Sequence, residues 1–130
     1  SITMLGPNAF SNFTELTELY LSSNNISFIH DDAFEGVHKL QYLELSFNQL
    51  ADFPVLRNMP KLTRLFLDNN NIRTIPDDAL DLLNLTRVYK LQYLSLSHNQ
   101  LADLPVLRNM PKLSSLYLDN NNIRTIPDDA

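Results

Sequence analysis

The sequence lacks the residues that several protein classes require. Its 130 residues include no cysteine, no tryptophan and only two glycines. No apolar run approaches the roughly 20 residues that a membrane-spanning helix needs, so no membrane span is expected. The chain has no lysine or arginine cluster and a net charge of −5, so a nucleic-acid partner is not expected. No amino-terminal signal segment is recognisable. The chain is nevertheless long enough to bury a sizeable core.

One eleven-residue phrase organises this chain. It reads L-x-x-L-x-L-x-x-N-x-L, and copies start near residues 16, 40, 62, 91 and 113. This phrase is the leucine-rich-repeat signature. Its side chains alternate between apolar and polar, as a short strand requires. Five copies predict an α/β fold: a right-handed solenoid, or horseshoe, with a parallel concave β-sheet and an irregular or short-helical convex side.

The repeats predict one domain over residues 1–130. Residues 1–15 form a partial repeat, and the chain also stops within a repeat. The copies at 62 and 91 are 29 residues apart, which is too long for one repeat, and residues 85–90 contain a truncated repeat stub. We therefore predict a bulge or register break at Thr86–Lys90. Neither end carries a polar cap, so we expect the uncapped ends to permit self-association.

A block of the sequence occurs twice. Residues Lys39–Ala79 and Lys90–Ala130 differ at six positions, and five of these lie at outward strand positions. Tandem duplication, alternative splicing and an engineered junction all fit this pattern. Divergence concentrated on one surface favours a binding role for that surface over neutral drift. The six pairs are Glu44/Ser95, Phe47/His98, Phe53/Leu104, Thr63/Ser114, Arg64/Ser115 and Phe66/Tyr117.

The asparagine of each phrase lies where the chain turns out of the sheet. Backbone donors and acceptors at such a turn would be stranded in the interior. An asparagine amide satisfies both kinds of group at once, so a structural role is favoured over a ligand-binding role. This predicted ladder comprises Asn24, Asn48, Asn70, Asn99 and Asn121.

The outward positions of the strands form the candidate binding face. Six aromatic side chains lie on a face that we expect to be exposed to solvent, and exposed aromatic patches typically serve recognition. The alternative is that aromatics are present only because they favour strands. Acidic residues (Glu18, Glu44, Asp68 and Asp119) favour a basic partner. The predicted ligand-binding residues are Tyr20, Tyr42, Glu44, Phe47, Arg64, Phe66, Tyr93, His98 and Tyr117.

Other sites are few. Asn12, Asn25 and Asn84 begin N-x-S/T sequons and are candidate N-glycosylation sites. The three histidines lie on different repeats or faces, so no catalytic residues and no enzymatic activity are expected. No metal site and no cofactor are expected either. His30-Asp31-Asp32 fits the start of a short helical turn better than a metal site.

The longer repeats carry N-x-I-x-x-I-x-x-x-A-F, seen from Asn24 to Phe34. This pattern resembles the typical extracellular leucine-rich-repeat subfamily. The mixture of 24- and 22-residue repeats is most similar to ectodomains of leucine-rich-repeat hormone-type receptors, here without their cysteine caps. The resemblance implies an extracellular or cell-surface glycoprotein, acting in signal transduction, whose concave face binds a protein or peptide ligand. The alternative is a structural or adhesive matrix protein that self-associates.

Overall fold

The structure is a computed structural model that describes residues 1–76, 90–104 and 111–126. The described part is built from short strands joined by turns and irregular segments. In chain order the strands are β1 (Met4–Leu5), β2 (Glu18–Tyr20), β3 (Phe28–Ile29), β4 (Tyr42–Glu44), β5 (Arg64–Phe66), β6 (Tyr93–Ser95) and β7 (Ser115–Tyr117). Among the described residues, no helix is long and apolar enough to cross a membrane.

Five of the strands form one parallel sheet in the order β2-β4-β5-β6-β7. Each strand occupies the third to fifth positions of its phrase, so the central leucines pair in register across the sheet, as Leu43 does with Leu65. Strands β1 and β3 form a separate two-stranded parallel sheet, with Leu5 opposite Ile29. This stack of parallel strands confirms the predicted leucine-rich-repeat solenoid.

The core lies between the five-stranded sheet and the return segments. The central leucines Leu43, Leu65 and Leu94 are fully buried, whereas Arg64, the neighbour of Leu65, is exposed. Return segments add Phe34, which is 1% exposed and stacks on Phe10 with 6.0 Å between ring centroids. Because successive side chains of a strand point to opposite faces of the sheet, the residues on either side of each central leucine point to the concave face.

The convex side is irregular in the described residues. Residues 31–36 form consecutive tight turns, in which the Ala33 N–H donates to the His30 carbonyl at 2.9 Å and the Val37 N–H donates to the Phe34 carbonyl at 3.3 Å. Gly36 has φ +94°, and a Cβ at this position would lie 2.6 Å from the backbone oxygen of Ser11. The segment therefore turns back before a regular helix can form.

The long interval between β5 and β6 leaves the sheet regular. Arg64 pairs with Tyr93 and Leu65 with Leu94, in the same register as every other neighbouring pair. The break predicted at Thr86–Lys90 lies, except for Lys90, outside the described residues. The strand side of the solenoid accommodates the additional residues without a shift in pairing.

Candidate functional site

The asparagine ladder holds the backbone just beyond the sheet. The Asn48 Oδ1 accepts a hydrogen bond from the Ile26 N–H at 3.0 Å, and its Nδ2 donates to the carbonyls of Leu21 and Leu45, each at 3.0 Å. Asn70, Asn99 and Asn121 repeat this arrangement one repeat further on each time. Each amide thus links two successive turns of the solenoid.

The residue before each ladder asparagine has a left-handed backbone. The φ angles at these five positions lie between 56° and 58°. Asparagine tolerates this region well, whereas a bulky side chain is strained there. Phe47 occupies one such position with its side chain 57% exposed, so neither conformation nor burial favours a phenyl ring there. The five residues are Ser23, Phe47, Asn69, His98 and Asn120.

Aromatic rings form a continuous row across the concave sheet. The row comprises Tyr20, Tyr42, Phe66, Tyr93 and Tyr117, one ring from each strand, with centroids 4.7 to 5.2 Å apart. Rings alternate between the fifth and third positions of the phrase, so neighbours meet diagonally. The register places a polar side chain directly opposite each ring, such as Glu44 opposite Tyr20.

The rings differ in exposure along this aromatic row. Tyr20 is 59% exposed and Tyr117 is 45% exposed, whereas the three inner rings are half-buried. The Tyr20 hydroxyl donates to Glu18, which raises the pKa of Tyr20 to about 12. Desolvation raises the pKa of Tyr42 and of Tyr93. These tyrosines therefore keep their hydroxyl protons at neutral pH.

An acidic groove of about 620 Å³ runs beside the aromatic row, toward the carboxyl ends of the strands. Ser46 Oγ donates to Asp68 Oδ1 at 2.7 Å, and Ser97 Oγ donates likewise to Asp119. Among the described residues, no lysine or arginine lines the groove. The lining comprises Ser22, Ser23, Glu44, Ser46, Phe47, Phe66, Asp68, Tyr93, Ser95, Ser97, His98, Tyr117 and Asp119.

Six of the nine predicted ligand-binding residues line this groove together: Glu44, Phe47, Phe66, Tyr93, His98 and Tyr117. Tyr20 and Tyr42 lie outside the lining but extend the aromatic row. Arg64 is exposed and pairs with Tyr42 in the sheet register, outside the groove. The predicted set did not include the serine hydroxyls. Three of them, Ser22, Ser46 and Ser97, follow the strands at the seventh position of the phrase, where serine or aspartate recurs in every copy.

Two of the three candidate glycosylation sites lie among the described residues. Asn12 and Asn25 are exposed, and the Asn25 Nδ2 donates to the Ser1 hydroxyl at 3.0 Å. Asn84 lies outside the described residues. In the part of the chain that the structure describes, no group of three or more His, Asp or Glu side chains is arranged to hold a metal ion.

Comparison with known proteins defines the class. A family model described as leucine rich repeat matches residues 1–50, and one described as leucine rich repeats (2 copies) matches residues 38–87 and 90–129. The chain therefore belongs to the leucine-rich-repeat family. Among solved structures, TLR13 in a complex with ssRNA13 matches with a TM-score of 0.81 and 35% identity, covering 94% of this chain and 17% of that chain. A leucine-rich-repeat protein of Leptospira interrogans matches with a TM-score of 0.79 and 32% identity, covering 95% of this chain and 30% of that chain.

The curated relatives are matrix proteins. Lumican of Homo sapiens is 41% identical over 97% of this chain and 36% of its own length. Mimecan of Coturnix japonica is 37% identical over 99% of this chain and 42% of its own length, and opticin of Mus musculus is 37% identical over 93% and 35%. The chain thus spans roughly two-fifths or less of these relatives.

Lumican, mimecan and opticin are secreted extracellular matrix proteins. This chain is accordingly an extracellular leucine-rich-repeat protein-interaction module with homology to these small leucine-rich proteoglycans. The receptor ectodomain that the repeat lengths favoured is less well supported than the matrix alternative, because the relatives belong to the matrix class.

Proposed function

We propose that this chain is the binding module of a matrix protein and that a protein segment with basic side chains docks on its concave face. The observation that supports this proposal is the presence of the aromatic row and the acidic groove on one surface. The proposed contacts come from the nine predicted ligand-binding residues, together with Asp68 and Asp119. The curated relatives, which are non-enzymatic, favour binding over catalysis.

The aromatic row suits an interface because its rings are held in place before a partner arrives. Tyr42, Phe66 and Tyr93 each contact a ring on both sides at 4.7 to 5.2 Å. Rings that are already ordered lose little conformational entropy on binding. Tyrosine and phenylalanine are also common anchors of protein interfaces. The row therefore supplies apolar contact, and its hydroxyl groups supply hydrogen bonds.

The charge of this face determines the sign of the partner. The groove is lined by Glu44, Asp68 and Asp119. Its described lining residues include one histidine, His98, and no lysine or arginine. A complementary partner therefore carries lysine or arginine. The same charges argue against a nucleic-acid partner, since phosphates would be repelled. The ssRNA is a partner of TLR13 in that structure, and we do not extend this partner to the present chain.

The test compares two double variants of the full chain. Phe66→Ala with Tyr93→Ala removes the middle of the aromatic row, whereas Phe13→Ala with Ile126→Ala removes two exposed apolar side chains outside the concave sheet. Surface plasmon resonance against a panel of purified matrix proteins should show at least about tenfold weaker binding for the concave variant. The control variant should bind like the unmodified chain. Circular dichroism verifies that both variants fold.

Binding that survives the concave variant with its fold intact would refute the proposal. If the concave variant does not fold, Asp68→Asn with Asp119→Asn tests the same face without removing a ring. The charge variant should bind more weakly and lose most of the salt dependence of binding.

Self-association is a second candidate function, supported by the matrix relatives and by an exposed apolar pair outside the groove. Met4 and Phe28 lie opposite each other in the β1–β3 pairing and are 55% and 50% exposed. Light scattering over a range of protein concentrations should then show a rise in mass that Phe28→Ser reduces. A constant monomer mass would exclude this function.

A further inference from the structure

The acidic groove contains two similar half-sites, each contributed by one copy of the duplicated block. In the first, Ser46 donates to Asp68, and in the second, Ser97 donates to Asp119. In both, the partners are 22 residues apart and lie just beyond neighbouring strands. The amides of Asn69 and Asn120 donate to the second carboxylate oxygens at 3.3 and 3.1 Å. A carboxylate has about four acceptor sites, so both half-sites keep capacity for a ligand.

The sheet order fixes the separation of the two half-sites. Asp68 follows β5 and Asp119 follows β7, with β6 between them. Neighbouring strands lie about 4.8 Å apart, so the two carboxylates are separated by roughly 9 to 10 Å along the groove. A single basic side chain cannot reach both. Two basic side chains on one side of a partner segment can.

A serine side chain lies between the half-sites. Ser95 on β6 lines the groove and is only 6% exposed. Its register partners are Phe66 and Tyr117, and ring atoms accept hydrogen bonds poorly. Within the part of the chain that the structure describes, its hydroxyl has no hydrogen-bond partner. Because Ser95 lines the groove, its hydroxyl is available to donate to a polar atom of a ligand midway between the carboxylates.

We propose that the concave groove recognises pairs of basic side chains about 9 to 10 Å apart on one side of a protein segment, with a backbone carbonyl of that segment accepting from Ser95. This inference rests on the proposed function and adds a spacing rule to it. Each basic group meets one Ser–Asp pair and the neighbouring tyrosine ring of the row, Tyr93 or Tyr117. The separation of the two half-sites across two strand spacings thus sets the separation of the two basic side chains in the ligand.

Oligoproline peptides test this rule because their rigid helix holds two arginines at a fixed separation. A polyproline II helix has three residues per turn and rises about 3.1 Å per residue, so two arginines three positions apart lie on one side about 9 Å apart. Arginines two or four positions apart lie on different sides at equal net charge. Calorimetry or NMR titration with the full chain should show about fivefold tighter binding of the matched peptide.

The variants separate the two carboxylates from general charge. Asp68→Asn or Asp119→Asn alone should reduce the matched peptide to the affinity of the mismatched ones. Asp52→Asn and Asp103→Asn provide the matched control, because they are equivalent positions of the same duplicated block and are exposed outside the groove. These control variants should leave the spacing preference intact.

Ser95→Ala provides an independent readout, since it should weaken all three peptides by a similar factor. Equal affinity of the three peptides, with loss in the aspartate variants, would overturn the spacing rule and leave the proposed basic-partner function standing. No binding of any peptide at millimolar concentration would also overturn the rule. The panel of matrix proteins then decides the proposed function separately.

Discussion

Replacing Asn48 by alanine tests how the ladder stabilises the solenoid. Asn48 is 8% exposed and forms hydrogen bonds with four backbone groups. Three of these are carbonyls that keep another donor: the Leu21 carbonyl retains the Asn24 amide, the Leu45 carbonyl retains Asn70, and the Ser46 carbonyl retains the Ser23 N–H. Only the Ile26 N–H loses its sole partner.

One buried donor without an acceptor costs about 1–3 kcal/mol, so Asn48→Ala should lower the free energy of unfolding by this amount. Asn24→Ala is the matched comparison. Its Oδ1 accepts from the Ile2 N–H at 3.1 Å, but Ile2 is 41% exposed and water can replace the lost acceptor. The cost of Asn24→Ala should therefore stay below about 1 kcal/mol.

Urea denaturation followed by circular dichroism measures both values, provided that the slope of unfolding free energy against urea is unchanged. The difference between the two variants is the informative quantity, because both remove the same atoms. If Asn24→Ala destabilises the chain as much as Asn48→Ala does, the argument from a single orphaned donor is wrong.

Three further predictions concern single residues. Glu18→Gln should lower the pKa of Tyr20 from about 12 toward its ordinary value of 10.0, because the charged acceptor that opposes phenolate formation is removed; ultraviolet titration measures the shift. The stability linked to this group is present below pH 10 and is lost as the pH rises through about 12. Gly36→Ala should cost more than about 2 kcal/mol in urea denaturation, whereas Gly6→Ala, with no atom within 4 Å of the added Cβ, should be close to neutral. Phe47→Asn should raise stability by about 1 kcal/mol while weakening partner binding, because φ +58° suits asparagine and the exposed ring is part of the proposed interface.

The strands could be predicted from the sequence because the phrase combines two independent signals. Alternation of apolar and polar residues sets the strand, and the asparagine marks where it ends. All five strands of the concave sheet accordingly occupy the third to fifth positions of their copies. The convex side was less predictable. Asp31-Asp32 suits the start of a helix, but Gly36 follows after only four residues and turns the chain back.

The candidate site was only partly predictable. Its outward residues follow from the phrase, but contacts between them depend on distances across strands. That the rings form one row requires the diagonal separation of Tyr42 and Phe66, and the period of the phrase says nothing about that distance. The burial of Ser95 could not be predicted either, because the phrase places this residue at an outward strand position that is expected to be exposed.

The alternation of rings along the sheet has a consequence for how the face binds charge. If every ring occupied the fifth position, the rings would fill one column and exclude polar groups from it. Instead Glu44 lies between Tyr20 and Phe66 in that column. A basic side chain entering there meets a ring face and a carboxylate together, so cation–π attraction and ion pairing act on the same group. Added salt screens the ion pair between exposed charges, whereas contact with the half-buried rings depends on surface removed from water. Binding to this face should therefore weaken with salt but persist at concentrations that abolish a purely electrostatic contact.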